Sequence, residues 1–245
     1  MSNVYDFLFI TAVFKQMLRV TLGLKWLLNA LTPIQKREIL PRLIVSDKTV
    51  SVQHFYAGGA GMRGISQLLT SGDNMSLEIS ETVQRFLHRC SAFKSVEFQL
   101  EGHALTLAIE SSCSALQYKV PYVKLVDNVF VCEASHIELH VPGNDWLNVW
   151  KTIPVNGDVV LECLARKRSI TLKHSKGRWA GGVHAVRAPD RTLTFECDSR
   201  VAKLVFADCV AVDTFSSLLF MSNGVMCWKD GDMTVFLAPN EKKNP

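Results

Sequence analysis

The chain has no C-x-x-C pair, and its seven cysteines (90, 113, 132, 163, 197, 209 and 227) are odd in number and widely scattered. A disulfide framework or a structural zinc site needs closer, patterned spacing, so no metal is expected and the thiols read as reduced, several of them in the core of an intracellular protein. A long apolar run is also lacking. Asp6, Lys15, Arg19 and Lys25 interrupt the apolar first thirty residues, so nothing there reaches the roughly 18 residues that span a bilayer. No small-residue cleavage pattern follows, which favours a strand and a helix over a leader or a membrane anchor. Walker loop, G-x-S-x-G elbow and H-E-x-x-H are all missing, and no catalytic residue is nominated.

What is present is a foldable chain of 245 residues, 48% hydrophobic and 20% charged, enough to bury one large core or two ordinary ones. The net charge of +4 suits a polyanionic partner without requiring one.

Periodicity reveals a repeat of strand, helix and hairpin. Residues 76–80 alternate as a strand; Val83, Phe86, Leu87 and Cys90 follow at helical spacing; then Val96, Phe98 and Leu100 alternate, turn at Glu101-Gly102-His103, and return through Leu105, Leu107 and Ile109. The order recurs from Ile137, with a helical face at Trp146, Leu147, Trp150 and Ile153 and a hairpin turning at Arg166-Lys167-Arg168. A further copy begins at Leu193, runs a helix through Val201, Leu204, Val205 and Cys209, and ends in strands at 215–221, 225–228 and 234–237. The N-terminus reads as a degenerate copy: strand over 4–10, helix face at Phe14, Met17, Leu18 and Thr21, and strands at 43–45 and 50–52. Residues 24–40 are left over, with a short helix between Pro33 and Pro41 as one option. The expected class is α+β, mostly antiparallel sheets with few helices, in two similar domains of two units each.

Each expected helix places cations opposite its apolar face: Lys15 and Arg19 on the first, Arg85 and Arg89 with His88 on the second, Lys151 on the third, Arg200 and Lys203 on the fourth. Any one of these is an ordinary solvated face; their recurrence on related helices suggests a diffuse track for phosphate contact without base reading. A second basic cluster, residues 166–178, suits a charge-protected sheet edge and a nucleic-acid contact equally well.

Two motifs invite other readings. The run Gly59 to Gly64 fits G-x-G-x-x-G, but the preceding strand alternates and no sustained helix follows, so a loop is expected and a nucleotide-cofactor enzyme is the rival from another class. His136 and His140 lie four apart on an extended segment, roughly 13 Å between them and too far for one metal.

On these residues the chain resembles the DNA sliding-clamp superfamily, typified by proliferating cell nuclear antigen and the checkpoint-clamp subunits. The ending Met233 to Pro239 is similar to the family's final strand with its aromatic-X-Ala-Pro tail, and residues 77–109, the Gly58-Gly59 pair and the segment Val120 to Leu125 resemble a Hus-type checkpoint subunit. The resemblance covers nearly the whole chain and is pattern-level. It implies a sliding-clamp fold, with domains at 1–126 and 138–245 joined by a connector at 127–137, helices on one face, and no catalysis or cofactor. It implies sequence-independent contact with duplex DNA through Lys15, Arg19, Arg85, Arg89, Lys151, Arg200 and Lys203. It implies two other clamp subunits, a clamp-loading ATPase, a nuclear location or a viral replication site, and repair proteins whose peptide motifs dock at Val129, Phe130, Leu237, Ala238 and Pro239. A homotrimeric polymerase processivity clamp stays open beside the heterotrimeric checkpoint clamp, and a membrane-associated adaptor using the N-terminal apolar segment is a further rival.

Overall fold

The computed structural model describes residues 17–32, 40–46, 48–111, 113–126, 135–164, 167–184, 186–187, 192–207 and 209–240. Within them a five-element unit, strand, helix and three-strand meander, appears four times. The first unit is β1 (Met17–Gly23), α1 (Leu24–Leu31), β2 (Arg42–Ser46), β3 (Thr49–Tyr56) and β4 (Gly61–Leu68). The second is β5 (Met75–Glu78), α2 (Glu81–Arg89), β6 (Ser95–Glu101), β7 (Ala104–Glu110) and β8 (Ala115–Val120). The third is β9 (Ser135–Pro142), α3 (Gly143–Thr152), β10 (Asp158–Leu164), β11 (Ser169–His174) and β12 (Gly177–Gly182). A two-residue strand, β13 (Val186–Arg187), precedes the fourth: β14 (Thr192–Asp198), α4 (Ser199–Phe206), β15 (Phe215–Met221), β16 (Met226–Asp230) and β17 (Met233–Leu237).

The sequence repeat is therefore real but one strand short. In three units the fifth strand was missed: glycines interrupt β4 and β12, and β8, although Leu116, Tyr118 and Val120 alternate, is largely exposed; the fourth unit's β17 was read at 234–237. The first unit also differs from expectation. Met17, Leu18 and Thr21, read as a helix face, lie in β1, where Val20 and Leu22 are buried and the strand pairs antiparallel with β6. The first helix instead lies in the unassigned stretch, with Leu24, Leu27 and Leu31 fully buried at helical spacing. The strand expected over 4–10 and the face residue Phe14 lie outside the described residues. The Gly59–Gly64 run is the turn between β3 and β4 and the start of β4, with Gly58 and Gly59 at φ +67° and +95°. It is a hairpin connection, not the strand-to-helix turn a dinucleotide needs.

Units pair by exchanging their leading strands. β1 of the first unit pairs with β6 of the second, and β5 of the second pairs with β2 of the first. Likewise β9 pairs with β15, and β14 with β10. The result is two four-stranded sheets, β1-β6-β7-β8 and β12-β11-β10-β14, and one nine-stranded sheet, β13-β9-β15-β16-β17-β4-β3-β2-β5. The large sheet crosses from one half of the chain to the other through the antiparallel pair β17–β4, Met233 facing Ile65 and Leu237 facing Gly61.

Two helix-centred cores result, one around α1 and α2 and one around α3 and α4. In the second, Trp150 stacks on Phe206 at 5.2 Å and Trp146 meets Trp150 edge-on at 5.5 Å, a geometry that adds attraction beyond buried area. At the junction Gly61 is required by close approach: a Cβ there would sit 2.6 Å from Val205 and 2.8 Å from Val201 of α4.

Candidate nucleic-acid interface

The four described helices form one layer on one face. His54 of β3, fully buried, hydrogen-bonds the Ala30 carbonyl of α1 through Nε2 at 2.7 Å. Two residues on, on the same face of the strand, Tyr56 joins the core that holds α4. α1 and α4 thus share a face of the nine-stranded sheet; α2 packs on α1, and α3 on α4.

Sequence chemistry fixes where each helix starts. Ser80 Oγ accepts from Val83 N at 3.3 Å at the head of α2, and Asp198 Oδ1 accepts from Arg200 N at 2.6 Å and Val201 N at 3.3 Å at the head of α4. Glu81 and Asp145 stand in the first turns of α2 and α3, His88 and Arg89 in the last turn of α2, all agreeing with the helix dipole.

The cations fall into three groups. Arg85, Arg89, Lys151 and Arg200 are exposed on α2, α3 and α4. Arg85 is paired with Glu81 at 2.8 Å, both side chains more than two-thirds exposed, a contact that water and salt weaken. Lys203 is half-buried and donates its Nζ to the Ile153 carbonyl at 3.1 Å, tying α4 to the end of α3. Arg19 lies on β1, with its backbone N–H donating to Asp73 at 2.8 Å, so it is not part of a helix face with Lys15, which lies outside the described residues. Sequence reading missed Lys25, the exposed cation that α1 does carry; the apolar spacing of Leu24, Leu27 and Leu31 was the available signal.

The opposite face of the large sheet carries an apolar row. Cross-strand pairing sets Phe55 beside Met62, Met62 beside Phe236, Phe236 beside Cys227 and Cys227 beside Leu219, across the junction between the halves. A cavity of about 230 Å³ opens next to it, with Gln53, Met62, Lys229, Thr234 and Phe236 in its wall. The expected docking residues divide accordingly. Leu237 is fully buried in the helix-side core, one position out of phase with this face, on which its neighbour Phe236 lies. Ala238 and Pro239 run on past β17, Ala238 N donating to the Ala60 carbonyl at 2.8 Å and Pro239 lying beside Gly224. Val129 and Phe130 lie outside the described residues. The signal missed was the unbroken apolar runs in β15, β16 and β17, which mark strands covered on both faces.

Among the described residues no group of three metal-ligating side chains converges, and no helix is long and apolar enough to cross a membrane.

No protein-family model and no curated protein matches the sequence. Solved structures do match in shape. The Helicobacter pylori beta clamp bound to a DNA ligase peptide aligns over 93% of this chain and 68% of its own, at TM-score 0.63 and 10% identity. The same protein with 5-chloroisatin aligns over 93% and 64%, at TM-score 0.65 and 10% identity. With 3,4-difluorobenzamide the figures are 93%, 66%, 0.64 and 11%. The chain spans about two thirds of the length of those clamps, and its fold is the sliding-clamp fold.

Proposed function

We propose that this chain is a non-catalytic DNA sliding-clamp subunit of the Hus type, one of three in a heterotrimeric checkpoint ring that encircles duplex DNA. The observation that carries the reading is a single layer of four helices on one face of a continuous sheet, with exposed cations on each helix and with β8 and β12 each at the edge of a four-stranded sheet. A helix layer with spaced cations contacts phosphates without reading bases and so tolerates sliding. The open strands β8 and β12 offer backbone pairing to neighbouring subunits. A closed ring needs a separate ATPase to be loaded, and the peptide motifs of repair or signalling partners would dock at the cavity beside the apolar row opposite the helices, where Lys229 and Thr234 join Met62 and Phe236, themselves only 3% and 6% exposed. The site of action would be the nucleus, or a viral replication site.

A homotrimeric polymerase processivity clamp would use the same helix layer and the same edges, and the beta-clamp likeness suits it as well. In either ring, Arg85→Glu with Arg89→Glu, and Lys151→Glu with Arg200→Glu, should each lower retention of duplex DNA by the assembled clamp several-fold. Each pair should also flatten the dependence of binding on salt. Unchanged retention and slope in both double variants would remove the DNA role from this helix face.

A further inference from the structure

We propose that β8 and β12 are built to take the acidic edge strands of different clamp-fold subunits and to reject a second copy of this chain. The proposal rests on the clamp reading above and names the partner it implies. The molecule already shows one such junction, since β4 and β17, the closing strands of the first and fourth units, pair through compatible side chains: Met62 faces Phe236, and Gly61 leaves room for Leu237. β8 and β12, the closing strands of the second and third units, are the counterparts left at the ends of their sheets. A head-to-tail ring of identical chains would join the β8 of one copy to the β12 of the next.

Charge opposes that joint. Between Glu110 and Asp127 the sequence carries two lysines, Lys119 and Lys124, and no acid. Between Glu162 and Asp190 it carries seven lysines and arginines and no acid. Nearby acids are already engaged: Glu78 with Lys124 at 3.1 Å, Glu162 with Lys173 at 2.6 Å, and Asp158 accepting from the Asn240 amide at 2.7 Å. Glu110 stands one strand in from the edge, opposite Ala115. Lys119 on β8 and Lys176 and Arg178 at β12 are exposed, and paired strands lie only about 4.8 Å apart. Like charges across such a joint are repulsive, and the repulsion selects against self-pairing as well as against the wrong partner.

The surface beside β12 says what the right partner carries. A cavity of about 370 Å³ lies between the end of α3 and the β11–β12 hairpin, walled by Val149, Ile153, Pro154, Leu172 and Trp179 and rimmed by His174, Lys176 and Arg178. The Trp179 indole lies over Gly181, where a Cβ would come within 2.3 Å of the ring. Such a site fits a strand with a large apolar side chain for the cavity and a carboxylate for the rim. This chain's own β8 supplies no carboxylate: it has no acid, Tyr118 is committed to a stack on Phe86 at 4.5 Å, and Leu116 is the one large apolar side chain it leaves exposed.

The test is a charge exchange followed by light scattering of the purified full chain at low and high salt, with circular dichroism to check folding. The wild type is expected to be monomeric. Lys176→Glu with Arg178→Glu should create an edge that complements Lys119 and drive association toward three copies of the 27.4 kDa chain, reversed by salt. Adding Lys119→Glu should return it to monomer. A wild-type trimer would overturn the proposal while leaving the clamp reading intact, and a folded exchange variant that stays monomeric would overturn it too. Loss of DNA retention in the exchange variant without any change in mass would reassign the edge to nucleic acid. Failure of the clamp reading itself would appear separately, in the helix-face variants.

Discussion

At position 230 a carboxylate only 2% exposed holds a loop in place. Asp230 Oδ1 accepts from Val212 N at 2.9 Å and Asp213 N at 3.1 Å, and Oδ2 accepts from the Ser216 hydroxyl at 2.6 Å. Asp230→Ala strands these donors and should cost about 3 kcal/mol, given the usual worth of hydrogen bonds to a charged group. A urea midpoint equal to wild type would contradict that. Burial raises the thiol pKa of Cys163 and, more strongly, of Cys197, where Asp198, Asp158 and Glu196 add to the effect. The unfolded chain then loses those protons first, near the ordinary thiol value of 9.0, so stability present below that pH falls as pH rises above it. Thermal unfolding between pH 8 and 10 should show the decline, and Cys197→Ala should shallow it; an unchanged slope would remove the thiol from the account. Single residues were unevenly legible. Leu237 was nominated for a pocket by the resemblance of the final strand to the clamp family's, yet strand alternation turns it toward the helix-side core and Phe236 toward the opposite face.

At the scale of elements, periodicity found most of what folds by periodicity. β5 to β7 with α2, β9 to β11 with α3, and β14 to β17 with α4 lie where the alternation and helical spacing put them. It failed where other forces decide. The placement of β1 is set by its pairing with β6, far along the chain, and β12 is a glycine-rich edge whose Trp179 packs only because Gly181 is bare. Gly61 shows the same point: a loop glycine in the sequence, in the fold it is the contact between β4 and α4. Gly61→Ala should destabilise the protein by about 1–3 kcal/mol through overpacking, read as a lower denaturation midpoint. A variant as stable as wild type would show that α4 does not press on the junction as described.

On the scale of the whole molecule, the legible feature was recurrence, and the illegible one was how the recurring units meet. The order of strand and helix is local information carried by each segment. The exchange of leading strands and the β17–β4 junction are long-range pairings that one sequence does not announce. The helix-face cations were legible as a pattern, but Arg19 left the set once β1 was found, Lys203 proved tied to Ile153, and Lys25 joined once α1 was placed. In the proposed closed ring, this chain would be held on DNA by topology more than by affinity. The most direct test assembles the chain with its partner subunits and loader on nicked circular DNA, washes at moderate salt, and then cuts the circle once. Retention on the intact circle followed by rapid loss on linearisation is the predicted result. Equal retention on circular and linear DNA would mean that the chain binds without encircling, and would contradict the account.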